Sequence, residues 1–322
     1  LLAAGAGMVL CGVARCVWLF GCGLALAGGA GAVVAVALPG WLIVLYPALR
    51  RRMVTLTLLI LVAPGTLFPL LAQWLLHLSD PGSSLSFAAV LHRPFLGLGL
   101  LLAGGQFVLG RVDGSGHARP PSSRERFRPR DLLNLHALAV IACATLHAAA
   151  DNSLFQWMPK FMESTFDYLP IPTGVVMALY SAAYVLARGI LALLPEGAGQ
   201  RLMLTAVGPV GGGLLLAAIW RGGPVAVGLV YPLAGLLVAV EYPALIADIR
   251  SFSATHFSTV YSAAVWASSL MTVLGINLIG QIGERTGDLR VALSVAALFF
   301  VAFGFIALLA GLGRREGGVD TP

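Results

Sequence analysis

Two pairs of polar side chains lie four residues apart inside one long apolar stretch of the sequence. His147 and Asp151 form the first pair, Asn152 and Gln156 form the second, and Trp157 follows directly. On a helix, residues four apart share a face. A carboxylate beside an imidazole can hold a polar group and exchange a proton near neutral pH, and amides beside an indole suit a neutral solute. The alternative is a polar cluster that only joins helices or faces the outer mouth of a bundle.

Charged and aromatic side chains in later apolar stretches are the next candidates. Glu241 and Arg188 lie toward the same end of their segments, either as an inner gate or coupling pair or as a structural ion pair. Tyr180 and Tyr184 are four residues apart, and Tyr231 follows in another stretch. Each of these tyrosines could line a solute path, although packing and interfacial anchoring also use Tyr.

The composition identifies the environment of these residues. The chain has 322 residues, of which 58% are hydrophobic and only 11% are charged. A soluble domain carries about 25% charged residues, so this deficit favours a membrane protein. The formal net charge is +6, but the basic residues flank apolar runs, and we therefore expect no nucleic-acid partner. The four cysteines form no CxxC pair, which argues against a disulfide or metal framework.

Ten apolar stretches predict transmembrane helices, because about 20 apolar residues cross a bilayer. Lipid cannot satisfy open backbone polar groups, so the spans must be helical. The predicted fold class is all-α, a polytopic transmembrane helical bundle. The stretches are 1–14, which is incomplete, 17–38, 53–77, 88–110, 133–157, 173–194, 202–220, 224–246, 257–280 and 289–312.

A polar segment rich in Arg and Pro, residues 111–131, divides the chain. Its six Arg place it on the cytoplasmic side, and alternation from there puts 14 of the 20 basic residues on that side. We predict a first bundle within 1–110, the linker, a second six-helix bundle over 132–316 and a tail over 317–322. The chain begins inside an apolar stretch without Met, so we expect that it lacks N-terminal helices.

This order of spans resembles the major facilitator superfamily. Gly275–Gly287 is similar to the end of family helix 11, where a glycine-spaced face runs into an acidic-x-Thr-Gly turn. Ala187–Gly189 followed by Gly197–Arg201 resembles the second-half copy of the helix 2–3 loop motif. On this resemblance the ten spans are family helices 3 to 12. Leu24 stands where proton-coupled exporters carry Arg, and residues 63–69 lack the antiporter Gly-Pro pattern, so a drug/proton antiporter is disfavoured.

The resemblance implies two pseudo-twofold-related bundles that move a solute by alternating access. We expect a secondary or facilitative transporter of a small polar, sugar-like organic solute, with proton coupling left open. One alternative is an exporter of amphipathic compounds, and another, from a different class, is a non-transporting membrane scaffold or a membrane-embedded enzyme. The expected substrate-binding residues are Asn152, Gln156, Trp157, Tyr180 and Tyr231, and the expected coupling or gating residues are Asp151, His147, Glu241 and Arg188.

The expected partners are a small-molecule substrate, the lipid bilayer and, in the coupled mode, protons. We expect a monomer in the cell inner membrane with several spans. No phosphate loop, nucleophile elbow or metal-ligand cluster occurs in the sequence, so neither a cofactor nor an enzymatic activity is expected.

Overall fold

The computed structural model describes residues 2–14, 16–46, 49, 51–59, 97, 99–100, 134–252 and 257–313. All regular elements within these ranges are helices, which confirms the all-α prediction. They are α1 Leu2–Val13, α2 Val17–Leu45, α3 over 51–59, α4 Leu135–Thr165, α5 Thr173–Leu193, α6 Gln200–Thr205, α7 Val207–Arg221, α8 Pro224–Val238, α9 Glu241–Phe252, α10 Phe257–Thr286 and α11 Leu289–Leu309.

Six segments of the described chain are long and apolar enough to cross a bilayer. Each overlaps one of the six spans predicted after the linker, so this second set is confirmed. The predicted spans 53–77 and 88–110 lie largely outside the described residues, as does the linker. The six segments are Leu135–Thr165, Thr173–Leu193, Gln200–Arg221, Pro224–Ile249, Thr259–Thr286 and Leu289–Leu309.

The chain forms two compact units. The first contains α1 and nearly all of α2, and the second contains α3 and α4 to α11. The predicted domain boundary instead assigns α3 to the first bundle. Because the predicted linker lies outside the described residues, the proposed division into bundles stays a prediction.

The core of the second unit forms around α4 and α11. Helix α4 packs along α10 and α11, α7 packs on α8 and α11, and α5 packs on α8. Leu154 and Met158 of α4 and Phe300 of α11 are fully buried in the same apolar cluster. Lipid tails are as apolar as these side chains, so close van der Waals packing, rather than escape from water, holds the helices together. This packing fixes the rotation of each helix and therefore which polar side chains meet.

A polar junction joins α3 to the loop between α5 and α6. The carboxylate of Glu196 accepts from the backbone amides of Arg51 and Arg52 over 3.1 and 3.0 Å. These amides open the helix, where backbone N–H groups lack intrahelical partners. The guanidinium of Arg51 is buried and donates to the carbonyls of Leu194, Pro195 and, over 2.8 Å, Ala198. Burial lowers the pKa of Arg51, and the nearby Glu196 raises it.

Candidate functional site

The carboxylate of Asp151 is held by two tyrosines inside the second unit. Asp151 lies on α4 and is half-buried. Tyr180 and Tyr184, one turn apart on α5, both donate their hydroxyl protons to its Oδ1, the second over 2.7 Å. Oδ2 makes no hydrogen bond to any residue that the structure describes. One carboxylate oxygen is thus fixed by two phenols.

A stacked pair of tyrosines adjoins this carboxylate. The ring of Tyr231 on α8 lies parallel to that of Tyr180, with 4.2 Å between centroids and 7° between planes. The stack requires glycine at position 235, since a Cβ there would lie 2.6 Å from Tyr180 ring carbons. The Tyr231 hydroxyl is buried and finds no hydrogen-bond partner among the described residues. Because an unpaired buried hydroxyl is costly, it suits a site that a solute or water completes.

Arg188 lies next to Tyr184, the second tyrosine that donates to Asp151. This side chain is buried, and its guanidinium carbon lies 5.1 Å from the centroid of the Tyr184 ring. Its Nη1 donates to Leu58 O of α3 over 2.9 Å, and its Nε donates to Ala239 O over 3.4 Å. The guanidinium is therefore engaged by an aromatic face and by backbone carbonyls.

Glu241 on α9 is the buried acidic partner of His147 on α4. Its Oε2 lies 2.9 Å from His147 Nδ1, and both side chains are buried. The rings of Phe300 and Phe303 lie edge-on to the imidazole, with centroids 5.5 and 6.1 Å away. The hypothesis that Glu241 pairs with Arg188 is wrong, because helix rotation turns Glu241 toward α4. Oε1 of Glu241 has no hydrogen-bond partner within the described ranges.

The span that carries Glu241 is interrupted directly before it. Helix α8 ends at Val238, α9 begins at Glu241, and the two residues between them form a turn. Pro243 contributes to the break, because proline has no N–H to donate to the carbonyl four residues earlier, which is Ala239 O. Arg188 Nε occupies that carbonyl instead. Prolines are tolerated in membrane spans because neighbouring helices satisfy the freed carbonyls in this way.

The remaining candidates on α4 lie on another face. Asn152 is exposed, and its Nδ2 donates to Ala148 O over 2.8 Å and to Thr272 Oγ1 over 3.3 Å. Trp157 donates from Nε1 to Ile276 O of α10 over 2.9 Å. Gln156 is also exposed. The structure therefore does not bring the amides and the indole to Asp151, and a single site that contains all of them is not formed by the described residues.

Gly235 and Pro243 are positions of the candidate site that sequence reasoning misses. A glycine inside an apolar span predicts close packing in general but not which ring packs on it. Pro243 carries a clearer signal, since a proline inside a helix predicts a break or kink. Tyr184 is identifiable through its spacing from Tyr180, although its hydrogen bond to Asp151 depends on the packing of α5 against α4.

The described residues contain no group of three or more His, Cys, Asp or Glu side chains that could hold a metal ion.

Comparison with known proteins identifies the fold. No family model and no curated protein matches the sequence. Solved structures do match, among them the crystal structure of a single-residue variant of the E. coli fucose:proton symporter FucP. The similarity covers 96% of this chain and 81% of that one, with a TM-score of 0.63 and 14% sequence identity. The chain therefore has the all-helical, multi-span fold of this membrane transporter.

Proposed function

We propose that the chain is part of a secondary transporter that moves a small polar organic solute across the membrane by alternating access. The observation that carries the proposal is the half-buried carboxylate of Asp151, whose Oδ1 accepts from two tyrosines while Oδ2 has no partner among the described residues. An ionisable group inside a membrane bundle is costly to retain without a function. A solute hydroxyl donating to Oδ2 would satisfy it.

The surroundings of this carboxylate favour a neutral polyhydroxylated solute such as a sugar. The Tyr231 hydroxyl, in the stack beside this carboxylate, has no partner among the described residues and would bond a solute hydroxyl. Arg188, the nearest guanidinium, already contacts Tyr184 and two backbone carbonyls. A strongly anionic solute would also meet the carboxylate of Asp151, which disfavours it.

We extend the proposal to proton coupling through the carboxylates of Asp151 and Glu241. Asp151 would alternate between solute and proton, and the His147–Glu241 pair would hold a second exchangeable proton in the same bundle. The similar solved structure is that of a fucose:proton symporter, which supports the same chemistry for this chain. The interrupted span at Ala239 and Val240 would let α9 reorient while α8 keeps the tyrosine stack in place.

Counterflow in proteoliposomes tests this function. Vesicles containing the full chain and loaded with one unlabelled sugar are expected to accumulate the same labelled sugar, with a panel of hexoses, pentoses and alditols identifying the solute. Protein-free vesicles are the control. Counterflow of amphipathic dyes without any sugar counterflow would support an exporter instead. No counterflow of either class would overturn the transport proposal.

A further inference from the structure

A cavity of about 620 Å³ opens where three membrane spans end, away from Asp151. Its walls come from the last turns of α4 and α10 and from the first turn of α11. Helix α4 has 31 residues, whereas about 20 cross the hydrocarbon core. The predicted span 133–157 ends at the first cavity residue of α4, and the charged Lys160 and Glu163 follow it, so we expect the cavity to lie at the level of the lipid head groups.

The glycine-spaced end of α10 shapes this cavity. The indole of Trp157 lies against Gly280, where a Cβ would be only 2.6 Å from the ring. The hydrogen bond from Trp157 to Ile276 O fixes the indole in this position. Lys160, one turn later on α4, places its Nζ 5.5 Å from the indole centroid. The glycines of the segment 275–287 thus allow the Trp157 indole and the Lys160 ammonium group to lie at the cavity wall.

Charges of both signs line the cavity. Lys160 and Arg290 are cationic, and Glu284 and Asp288 are anionic. Asp288 is already occupied, since its carboxylate accepts from the Arg290 amide over 2.8 Å and begins α11. Glu284 is exposed and makes no hydrogen bond or ion pair with any residue that the structure describes. A free carboxylate therefore faces the same space as two cations.

We propose that this cavity binds the head group of a phospholipid that carries both a phosphate and a primary ammonium. Lys160 and Arg290 would donate to the phosphate, and Glu284 would accept from the ammonium. Two positive and two negative side chains leave little net attraction for a free anion, whereas they match a zwitterion.

Native mass spectrometry of the purified full chain tests the lipid site. The protein in detergent is titrated separately with dioleoyl phosphatidylethanolamine, phosphatidylcholine and phosphatidylglycerol. The ethanolamine lipid is expected to bind roughly tenfold more tightly than the choline lipid, because only its ammonium can donate hydrogen bonds to a carboxylate. Equal affinity for these two lipids would overturn the proposal.

Substitutions test which side chains bind the ammonium and the phosphate of the head group. Glu284→Gln is expected to abolish the preference for ethanolamine over choline, and Lys160→Gln to weaken binding of both lipids. Arg221→Gln, which changes an exposed Arg at the end of α7, is the matched control and should leave both affinities unchanged. A retained preference in Glu284→Gln, or an effect of Arg221→Gln equal to that of Lys160→Gln, would contradict the assignment.

Inorganic phosphate separates a lipid site from a free-anion site. Millimolar phosphate is expected to leave binding of the ethanolamine lipid unchanged, because phosphate lacks both the ammonium and the acyl chains. Displacement of the lipid by phosphate alone would show that the cavity takes a soluble anion, which refutes the lipid assignment.

Discussion

Asp151→Asn is the substitution that separates solute binding from coupling. The amide has nearly the same shape as the carboxylate and can still accept hydrogen bonds, but it cannot carry a proton at physiological pH. We expect uptake driven by a pH gradient to be lost in this variant. Counterflow needs no coupling, and we expect it to continue with lower affinity for the solute.

The expected change in hydrogen-bond energy at Asp151 follows from the two phenols that donate to it. Tyr180 and Tyr184 both donate to Asp151, the latter over 2.7 Å. A hydrogen bond to a charged group contributes about 1.5–3 kcal/mol, and a neutral one about 1 kcal/mol. Each contact therefore weakens by roughly 1 kcal/mol when the charge is removed. Removal of the charge also relieves its desolvation, so the stability of the single variant does not isolate the contacts.

A double-mutant cycle with Tyr184→Phe isolates one contact. The free energy of unfolding is measured in detergent for the wild type, Asp151→Asn, Tyr184→Phe and the double variant. We expect a coupling energy of about 1 kcal/mol, because the desolvation of Asp151 cancels around the cycle. Strictly additive changes would show that the two side chains do not interact.

Transport by the same variants gives the second measurement. Initial uptake of the labelled solute is compared with and without an imposed pH gradient. Glu163→Gln is the matched control, because Glu163 is an exposed carboxylate on the same helix whose contact is with Thr173. It should retain stimulation by the gradient. Uptake by Asp151→Asn that is still stimulated by the gradient would refute the coupling role.

Three further substitutions test neighbouring parts of the site. Gly235→Ala places a methyl 2.6 Å from the Tyr180 ring and is expected to destabilise the bundle by about 1–3 kcal/mol in thermal unfolding, whereas Gly213→Ala meets open space and should not. Glu241→Gln keeps a neutral hydrogen-bond partner for the imidazole and should reduce only the stimulation of uptake by a pH gradient; equal stimulation would contradict this. Pro243→Ala restores an amide N–H at the α8–α9 break and should slow both hydrogen exchange there and transport, while unchanged exchange would show that another feature holds the break open.

The spans of the second unit could be predicted because their length is a property of the bilayer. A stretch of apolar residues long enough to cross it, such as 289–312, can be read directly from the sequence, and α11 confirms it. The break at Ala239 could not be found in this way, because hydropathy averages over the whole of 224–246. Only Pro243 signals it, and a proline predicts a kink as readily as an interruption.

The candidate site was predictable within one helix but not between helices. The spacing of His147 and Asp151 places both on α4, but their partners come from α9 and α5. Sequence position gives the depth of Glu241 and Arg188 in the membrane and says nothing about the direction in which each side chain points. Packing decides that direction, and it joins Glu241 to His147 rather than to Arg188.

The junction between α3 and the α5–α6 loop differs from an ordinary ion pair in one consequential way. Glu196 is held by two amide N–H groups, and Arg51 by three carbonyls. A backbone N–H group cannot accept a hydrogen bond, and a carbonyl cannot donate one. Exchanging Arg51 and Glu196 would therefore place the positive charge against N–H groups and the negative charge against carbonyl oxygens. Exchanging the two charges preserves an ion pair whose side chains contact only each other. Here the backbone N–H groups require an anion at position 196, and the backbone carbonyls require a cation at position 51.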